Sequence, residues 1–384
     1  MITLSHKADC CGCSACESIC PFNAITMQAD AEGFKYPSTN LNLCVNCGLC
    51  EKACPVIRYD KIEEKHASPP VYALHHVDAE TWHNSSSGGI FSAIVSWTLK
   101  QNGCVFGAKY NSDFKVVHAK AETWQDTLAF RGSKYVQSDL GDTYKQVREE
   151  LKKDRVVLFS GTPCQCEGLR GFLRKPYEKL IVVDIMCHCV PSPKVFSDYI
   201  SFVENKAGKK ISEIFMKDKT FGWGNQSPRI TFQDGNSWFN RPETHLWNKI
   251  FYSQLATRPS CYECRFCNYL HPGDITIGDY WGIKQHHPDF YDKKGISLLF
   301  ANTLKGEHIF EMLKNDILYI TSDTARCVQA NLQHPVTPHP LRSQFWKDYS
   351  TLSFRQVCVR YYGYGFINQF RHILSHLIRK FIRR

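Results

Sequence analysis

The sequence predicts an α+β or α/β protein in which a short cysteine-rich domain precedes a larger mixed α/β domain. Two observations indicate this fold class. Cysteine recurs twice at a regular spacing within residues 10–54. Further on, an apolar strand, a helix and a second apolar strand follow one another between residues 156 and 186, as in a parallel βαβ unit. With 384 residues, the chain is long enough for two or three domains with cores of their own.

Eight cysteines near the N-terminus form two copies of the motif C-x2-C-x2-C-x3-C-P. The copies comprise Cys10, Cys13, Cys16 and Cys20, and then Cys44, Cys47, Cys50 and Cys54. This is the spacing of bacterial two-cluster ferredoxins, in which the fourth cysteine of each copy ligates the other 4Fe-4S cluster. We therefore expect one cluster on Cys10, Cys13, Cys16 and Cys54, and a second on Cys44, Cys47, Cys50 and Cys20. Cys11 falls outside the register and is expected not to be a ligand.

A disulfide framework and a zinc site are the alternatives for these cysteines. The sequence shows no apolar secretory leader, and thiols stay reduced in the cytosol, so we expect a cytoplasmic protein without a disulfide framework. Zinc favours paired C-x2-C knuckles separated by a longer loop. Iron-sulfur clusters therefore explain the motifs better, and residues 1–60 are predicted to form a ferredoxin domain.

Charge and hydropathy exclude some function classes. The net charge of +10 is modest for this length and part of it lies in the C-terminal tail, so it does not indicate a nucleic-acid partner. No run approaches the eighteen apolar residues of a membrane span, so we expect no integral membrane segment.

The polar connector 59–70, which ends in Pro69-Pro70, predicts a domain boundary. Residues 71–155 are expected to form the N-terminal part of the larger domain and 156–330 its C-terminal part. Within the first part, Ser87, Gly88 and Gly89 precede an apolar helix that starts at Ile90. Such a helix N-terminus can hold a phosphate or pyrophosphate, but the same residues also make an ordinary N-cap.

The βαβ unit predicts a third cluster. Cys164 follows its first strand and Cys187 its second, and the carboxyl ends of parallel strands meet at one sheet edge. Cys261, Cys264 and Cys267 form a further C-x2-C-x2-C run with no local fourth ligand. We prefer Cys164, Cys187, Cys261 and Cys264 as the ligands. Structural zinc is the alternative at this site.

Motifs across residues 71–300 resemble those of the coenzyme F420 hydrogenase and dehydrogenase family of beta subunits. They are Ser87-Gly88-Gly89, Ser133-Lys134-Tyr135-Val136-Gln137, Gly161-Thr162-Pro163-Cys164-Gln165, Asp184 with Cys187-His188, Cys261-x2-Cys264, and Gly273-Asp274-Ile275-Thr276-Ile277-Gly278-Asp279. The resemblance implies an iron-sulfur flavoprotein oxidoreductase, in which FAD lies beside a 4Fe-4S cluster and exchanges electrons with an organic acceptor. The larger domain would then be a flavin-binding domain. The alternative is a non-catalytic subunit that relays electrons to a partner enzyme.

The resemblance also implies residue roles. The candidates for binding flavin or substrate are Ser87, Gly88, Gly89, Lys134, Tyr135, Gln137, Thr162 and Asp279. His188 is the candidate catalytic residue for proton delivery, although a histidine beside a ligand cysteine more often only tunes the cluster. The family has glycine where this chain has Cys189, and Cys267 is also an extra cysteine, so either thiol could replace a preferred third-cluster ligand.

The C-terminal segment 361–384 predicts a basic amphipathic helix, with apolar residues such as Phe370 and Leu374 on one face and Arg371 and Arg379 on the other. Packing on this protein or a partner is one expectation for this helix. The other is docking on an anionic membrane surface, at the inner face of the membrane. The expected partners are an electron-donor protein or partner oxidoreductase and a small-molecule acceptor.

Overall fold

The computed structural model of the protein describes residues 1–58, 68–225 and 227–365. Its strands are β1 (Ile25–Ala29), β2 (Lys35–Thr39), β3 (Val71–His76), β4 (Cys104–Tyr110), β5 (Val116–Ala121), β6 (Val157–Gly161), β7 (Leu180–Ile185), β8 (Ile211–Asp218), β9 (Ser227–Phe232), β10 (Ser237–Phe239), β11 (Ile275–Asp279), β12 (Ser297–Ala301) and β13 (Ile317–Ser322).

The α-helices are of very different lengths, from four to fifteen residues. They are α1 (Ala15–Ile19), α2 (Leu49–Ala53), α3 (Ala79–His83), α4 (Ile90–Lys100), α5 (Trp124–Thr127), α6 (Thr143–Lys152), α7 (Pro163–Leu173), α8 (Pro193–Ala207), α9 (Pro242–Ser253), α10 (Ile283–His286), α11 (Leu304–Leu313), α12 (Arg342–Tyr349) and α13 (Phe354–Tyr362).

An eight-stranded sheet forms the centre of the larger domain, with strand order β13-β3-β12-β11-β7-β6-β4-β5. Its middle strands β11, β7, β6 and β4 are parallel neighbours, and the remaining pairs are antiparallel. The predicted βαβ unit is present as β6-α7-β7, and the two strands pair in parallel from Val157 opposite Leu180 to Gly161 opposite Asp184. The mixed α/β prediction with a parallel unit is confirmed. Strands from both 71–155 and 156–330 belong to this one sheet.

Two buried apolar layers cover the faces of this sheet. On one face Leu158 and Val183 pack with α4 and α11, and on the other Phe159 and Val182 pack with α6 and α7. The alternation of neighbouring residues between the layers follows from the period-two geometry of a strand. The sheet is thus buried on both faces, as its continuous apolar strands predict.

A second, three-stranded sheet, β10-β9-β8, packs with four helices in a core of its own. Trp247 of α9 and Phe345 of α12 are fully buried there. Strands β9 and β10 form an antiparallel hairpin, with Asp234-Gly235-Asn236 in the turn between them. Helices α12 and α13 are not among the elements that the sequence predicts.

The N-terminal domain pairs β1 with β2 and places the short helices α1 and α2 side by side. Both helices pack on α7 of the larger domain. Among the described residues, none of the helices combines the length and the apolar character that crossing a membrane requires. Most of the predicted connector and of the predicted C-terminal helix, residues 59–67 and 366–384, lies outside the described residues.

Candidate functional site

Four cysteines line a small cavity at the outer end of the N-terminal domain. This outer set consists of Cys20, Cys44, Cys47 and Cys50. Cys47 is exposed, and the apolar side chains of Phe22 and Val45, which are about half exposed, also line the cavity. The structure therefore brings together the fourth cysteine of the first motif and three of the second, the set that the ferredoxin spacing predicts.

The complementary inner set consists of Cys10, Cys13, Cys16 and Cys54. Burial raises the pKa of Cys16, and the nearby thiols of Cys10 and Cys54 raise it further. Cys13 is buried and interacts electrostatically with Cys54 and Cys16. Cys16, Cys50 and Cys54 share one apolar cluster, so the outer and inner sets lie next to each other.

A third group, the distal set, forms where the larger sheet ends. It consists of Cys164, Cys187, Cys261 and Cys264. Burial raises the pKa of Cys187 well above its usual range, and the thiols of Cys261, Cys164 and Cys264 add to this. The four preferred third-cluster residues therefore do lie together, and the sheet-edge argument accounts for Cys164 and Cys187.

The two extra thiols lie at the edge of the distal set. Cys267 hydrogen-bonds to Cys264, and this contact is the largest cause of the raised pKa of Cys264. Cys189 interacts electrostatically with Cys261, and its Sγ lies 3.6 Å from the Thr257 hydroxyl. Each extra thiol is thus close to one member of the set.

Cys11 joins the inner and distal sets. The pKa of Cys11 is well above its usual range, mainly because of a hydrogen bond with Cys13. A hydrogen bond with Cys164 lowers this pKa, and burial raises it. Cys164 opens α7, and Gly168 one turn later lies so close to Cys13 that an added Cβ would come within 3.0 Å of its sulfur. Helix α7 therefore borders both the inner set and the distal set.

No cysteine is paired in a disulfide, and all nineteen lie within the described residues. In the same part of the chain, no three His, Cys, Asp or Glu side chains form a group that could hold a metal ion. A 4Fe-4S cluster differs from a mononuclear ion because its four thiolates bind separate irons around a cluster. Four thiols around a cavity, as in the outer set, fit that arrangement.

A large cleft of about 920 Å³ lies between the second sheet, the β4–β5 hairpin and the loop that contains residues 131–134. Four lysine or arginine residues line it: Arg131, Lys134, Lys219 and Arg229. Arg229 is paired with Glu213 and Asp218 of the same lining. Burial lowers the pKa of Lys134 to about 7 and that of Lys219 to about 7. Lys134 donates hydrogen bonds of 2.8 Å to the carbonyl oxygens of Ala129 and Arg131. Of the predicted flavin or substrate residues, Lys134 lines this cleft.

The loop that contains Ser87, Gly88 and Gly89 packs beside the cleft rather than lining it. The Ser87 hydroxyl donates to the Ile296 carbonyl, and a Cβ on Gly88 would lie 2.2 Å from the Leu74 carbonyl oxygen. Gly89 has φ +93° at the N-cap of α4, a conformation that favours glycine. The glycines therefore have packing reasons of their own. Lys219 connects this loop to the cleft, because its Nζ donates to the Ser87 carbonyl.

The other predicted flavin or substrate residues have partners elsewhere. Tyr135 packs on Phe251 with ring centroids 4.6 Å apart. The Gln137 amide donates to the Cys11 carbonyl at 3.0 Å. Thr162 forms a capping box at the start of α7, and its hydroxyl lies 3.3 Å from the Cys164 sulfur.

Asp279 forms an ion pair with Lys217, whose side chain is almost fully buried. Its other oxygen accepts a hydrogen bond of 2.9 Å from the indole of Trp223. Lys217 also lies over the ring of Trp281, 5.1 Å from its centroid. These contacts give Asp279 a structural role in the fold.

His188, the predicted catalytic residue, lies next to Cys187 with its Nε2 3.1 Å from the Gln254 side-chain amide. Its ring centroid is 5.6 Å from that of Phe251, and burial lowers its pKa. His188 does not belong to the lining of the large cleft.

Two functional candidates, Arg258 and Lys219, are not predicted by any sequence motif. Arg258 is fully buried and contacts Cys10 and Gln137. Lys219 is buried and lines the cleft. A single basic residue in a sequence carries no spacing signal, although the position of Arg258 three residues before Cys261 links it to the distal cysteines.

Comparisons with known proteins match two separate parts of the chain. Residues 9–57 match a family model described as 4Fe-4S dicluster domain. Residues 154–325 match a model of the C-terminal region of the beta subunit of coenzyme F420 hydrogenase/dehydrogenase. The F subunit of the F(420)H(2) dehydrogenase of Methanosarcina mazei is 22% identical over 321 residues, which is 80% of this chain and 83% of that protein.

Two further relatives differ in coverage. The coenzyme F420-dependent sulfite reductase of Methanocaldococcus jannaschii is 29% identical over 176 residues, 44% of this chain but 26% of that enzyme. Among solved structures, a chain of the F420-reducing NiFe hydrogenase complex from Methanosarcina barkeri aligns with TM-score 0.46 and 18% identity, covering 78% of this chain and 94% of that chain.

Proposed function

Because this chain belongs to the coenzyme F420 hydrogenase/dehydrogenase family of beta subunits and carries a 4Fe-4S dicluster domain ahead of the family region, we propose that it passes electrons between 4Fe-4S clusters and an organic acceptor through FAD. The chain is an iron-sulfur protein of an oxidoreductase family. Our proposal goes beyond the family relationship in three respects, which are the bound FAD, the third cluster and the organic acceptor.

We assign one cluster to each cysteine set. The outer and inner sets hold the two clusters of the dicluster domain, and the distal set holds the third. The observation that carries the proposal is the contact of Cys11 with both Cys13 and Cys164, which joins the inner set to the distal set. Electron transfer between two clusters requires that they lie close together. The thiols of Cys11, Cys13 and Cys164, together with α7, support such an arrangement of the inner and distal sets.

The large cleft is the proposed flavin site. Its 920 Å³ lies within the range of about 300–1,000 Å³ typical of cofactor pockets. Arg131, Lys134 and Lys219 supply the positive charge that a pyrophosphate needs. When bound, a flavin exchanges two electrons with an organic acceptor and single electrons with a cluster.

Aromatic side chains connect the cleft with the distal set. Tyr135 follows the cleft residue Lys134 and packs on Phe251, which in turn packs against His188 beside Cys187. We propose that His188 acts in proton delivery near this path, oriented by Gln254. Burial lowers the pKa of His188, which favours the neutral imidazole.

The test is the cofactor content of the full chain purified without oxygen. Denaturation should release about one FAD per chain, together with about twelve iron atoms for three four-iron clusters. In a matched pair of variants, Lys134→Met should retain less FAD than the wild type, whereas Lys145→Met, an exposed lysine outside the cleft, should retain as much. Release of no flavin would contradict the proposal, as would iron for only two clusters.

The second candidate function is that of a non-catalytic subunit that relays electrons to a partner oxidoreductase. It is favoured by the relationship to one component of a dehydrogenase and by four exposed apolar side chains in or near the outer set. These are Phe22, Leu41, Leu43 and Val45, which are 48%, 69%, 48% and 58% exposed. If the isolated chain, supplied with reduced methyl viologen, does not reduce coenzyme F420 or free FAD, this function is the better description.

A further inference from the structure

Arg258 is a fully buried guanidinium between two cysteine sets. Its side chain is 0% exposed, which is rare for arginine. Its backbone carbonyl accepts a hydrogen bond from the Cys261 N–H at 3.0 Å, and its own N–H donates to the Val190 carbonyl. Arg258 therefore belongs to the backbone that carries the distal set, while its side chain extends to the inner set.

The guanidinium contacts the first ligand of the proposed inner cluster twice. Its Nε donates to the Cys10 carbonyl at 2.9 Å, and its Nη2 lies 3.6 Å from the Cys10 sulfur. The remaining donors reach the Gln137 side-chain oxygen and the Lys35 carbonyl, both at 2.9 Å. The plane of the group lies over the ring of Tyr36, 4.5 Å from its centroid.

These partners leave the positive charge without an anionic side chain. Within the described part of the chain, the hydrogen bonds of the Arg258 side chain go to neutral oxygens and to sulfur, and no carboxylate forms an ion pair with it. A buried charge is costly unless it is paired. Four cysteine thiolates around a 4Fe-4S core would give a group with net negative charge, and ligation by Cys10 would place that charge beside the guanidinium.

We propose that Arg258 is the counter-cation of the cluster on the inner set and raises the reduction potential of that cluster. Reduction adds one electron and so one negative charge, without breaking a bond or moving a proton. A positive charge and an N–H···S contact stabilise the reduced form more than the oxidised form. The outer set has no arginine or lysine in its cavity lining; the cation there is the Met1 ammonium, which is already paired with Glu51.

This inference rests on the proposed inner ligand set, and it names Arg258 as a positioning and tuning residue rather than a catalytic one. Gln137 is its partner in this role. It holds the guanidinium through its side-chain oxygen and the Cys11 carbonyl through its amide. The inference also explains why Gln137 lies away from the cleft.

The test is a potentiometric titration of the full chain followed by EPR spectroscopy. The inner cluster is identified as the signal lost in Cys10→Ala and retained in Cys47→Ala. Arg258→Gln should lower the midpoint of that signal by at least about 59 mV, a tenfold change for one electron, and leave the outer cluster unchanged. Arg258→Lys keeps the positive charge, so the midpoint of the inner cluster in this variant should lie close to that of the wild type.

Gln137→Glu provides an independent variant, because it adds a carboxylate beside Arg258 with almost no change in volume. It should lower the same midpoint even if Arg258→Gln fails to assemble its clusters. Arg342→Gln is the matched control: Arg342 is a neighbouring arginine whose side chain pairs with Glu32 and, among the described residues, also donates to Tyr262 and Thr257 rather than to a cysteine. It should leave the midpoint unchanged.

The outcomes separate the inference from the proposed function. An inner signal whose midpoint is the same in wild type, Arg258→Gln and Gln137→Glu overturns the role of Arg258 alone. A wild-type protein with no signal that depends on Cys10 overturns the ligand set and the inference together. A shift in Arg342→Gln as large as that in Arg258→Gln also overturns it, because the effect would then not be specific to the Cys10 contact.

Discussion

Gly171 of α7 lies against Ala53 of α2 so closely that a Cβ on Gly171 would come within 2.2 Å of the Ala53 carbonyl oxygen. Ala53 precedes Cys54, the inner-set cysteine contributed by the second motif. Arg58 extends the contact, because it pairs with the buried Glu167 of α7 at 3.1 Å. The packing of the N-terminal domain on the larger domain thus requires glycine at position 171, because any side chain there would meet the backbone of Ala53.

Gly171→Ala should therefore disturb the contact between the two domains. Overpacking of a close contact costs about 1–3 kcal/mol, and the backbone of Ala53 must move to make room. We expect a lower thermal unfolding midpoint and slower electron exchange between the inner and distal clusters, measured by rapid-mixing spectroscopy. Gly224→Ala is the control, since an added Cβ there meets open space. Equal behaviour of both variants would contradict this account of α7.

Cys164→Ala should remove the distal cluster and leave the two N-terminal clusters in place. Cys164 interacts electrostatically with Cys264. Its thiol also contributes to the raised pKa of Cys187 and to that of Cys261. Cys166, two residues on, is buried against the Val183 carbonyl and is the matched control. Iron analysis should show about eight atoms per chain for Cys164→Ala and about twelve for Cys166→Ala. An unchanged iron content in Cys164→Ala would remove this ligand from the set.

The affinity of the flavin-free protein for FAD should depend on pH through Lys134. Burial lowers the pKa of Lys134 to about 7, so the free protein carries this charge below pH 7 and loses it above. A bound pyrophosphate favours the charged form, so FAD binding should be pH-independent below about 7 and weaken as pH rises above it. Flavin fluorescence titrations from pH 6 to 9 measure this.

Lys134→Met should abolish most of that pH dependence. Lys219, whose pKa burial also lowers to about 7, would carry any dependence that remains. The exposed Lys145→Met should behave like the wild type. Affinity that rises with pH in the wild type would contradict an anionic ligand in the cleft.

Asp279→Asn should destabilise the fold rather than weaken flavin binding selectively. The substitution leaves Lys217, whose side chain is 3% exposed, without its carboxylate partner. Loss of one partner of a buried ion pair costs about 3–5 kcal/mol. Asp234→Asn breaks an exposed pair with Lys209 and should change the stability much less, because solvent screens such a pair. Denaturant unfolding of both variants tests this, and a fully stable Asp279→Asn that loses FAD would restore the binding role.

The sequence predicts the regular parts of the fold well, for definite physical reasons. Short continuous apolar runs identify β6 and β7, and the rule that parallel strands end at one edge brings Cys164 and Cys187 together. The fixed spacing of the ferredoxin motif likewise predicts which cysteines form the outer set.

The sequence predicts the contacts between distant segments poorly. Gly88, which resembles part of a phosphate-binding turn, is required because Leu74 and Ser297 pack against it. Arg258 and Cys10 are 248 residues apart, and no local pattern relates them. The cleft likewise forms from the second sheet, the β4–β5 hairpin and the 131–134 loop, and only tertiary packing places these side by side.

The measurement that tests the central claim most directly is an anaerobic reductive titration of the wild-type chain. Three 4Fe-4S clusters accept one electron each and one FAD accepts two, so the account predicts about five electron equivalents per chain. About two equivalents, with bleaching of cluster absorbance alone, would mean that only the two N-terminal clusters are present and would contradict the account.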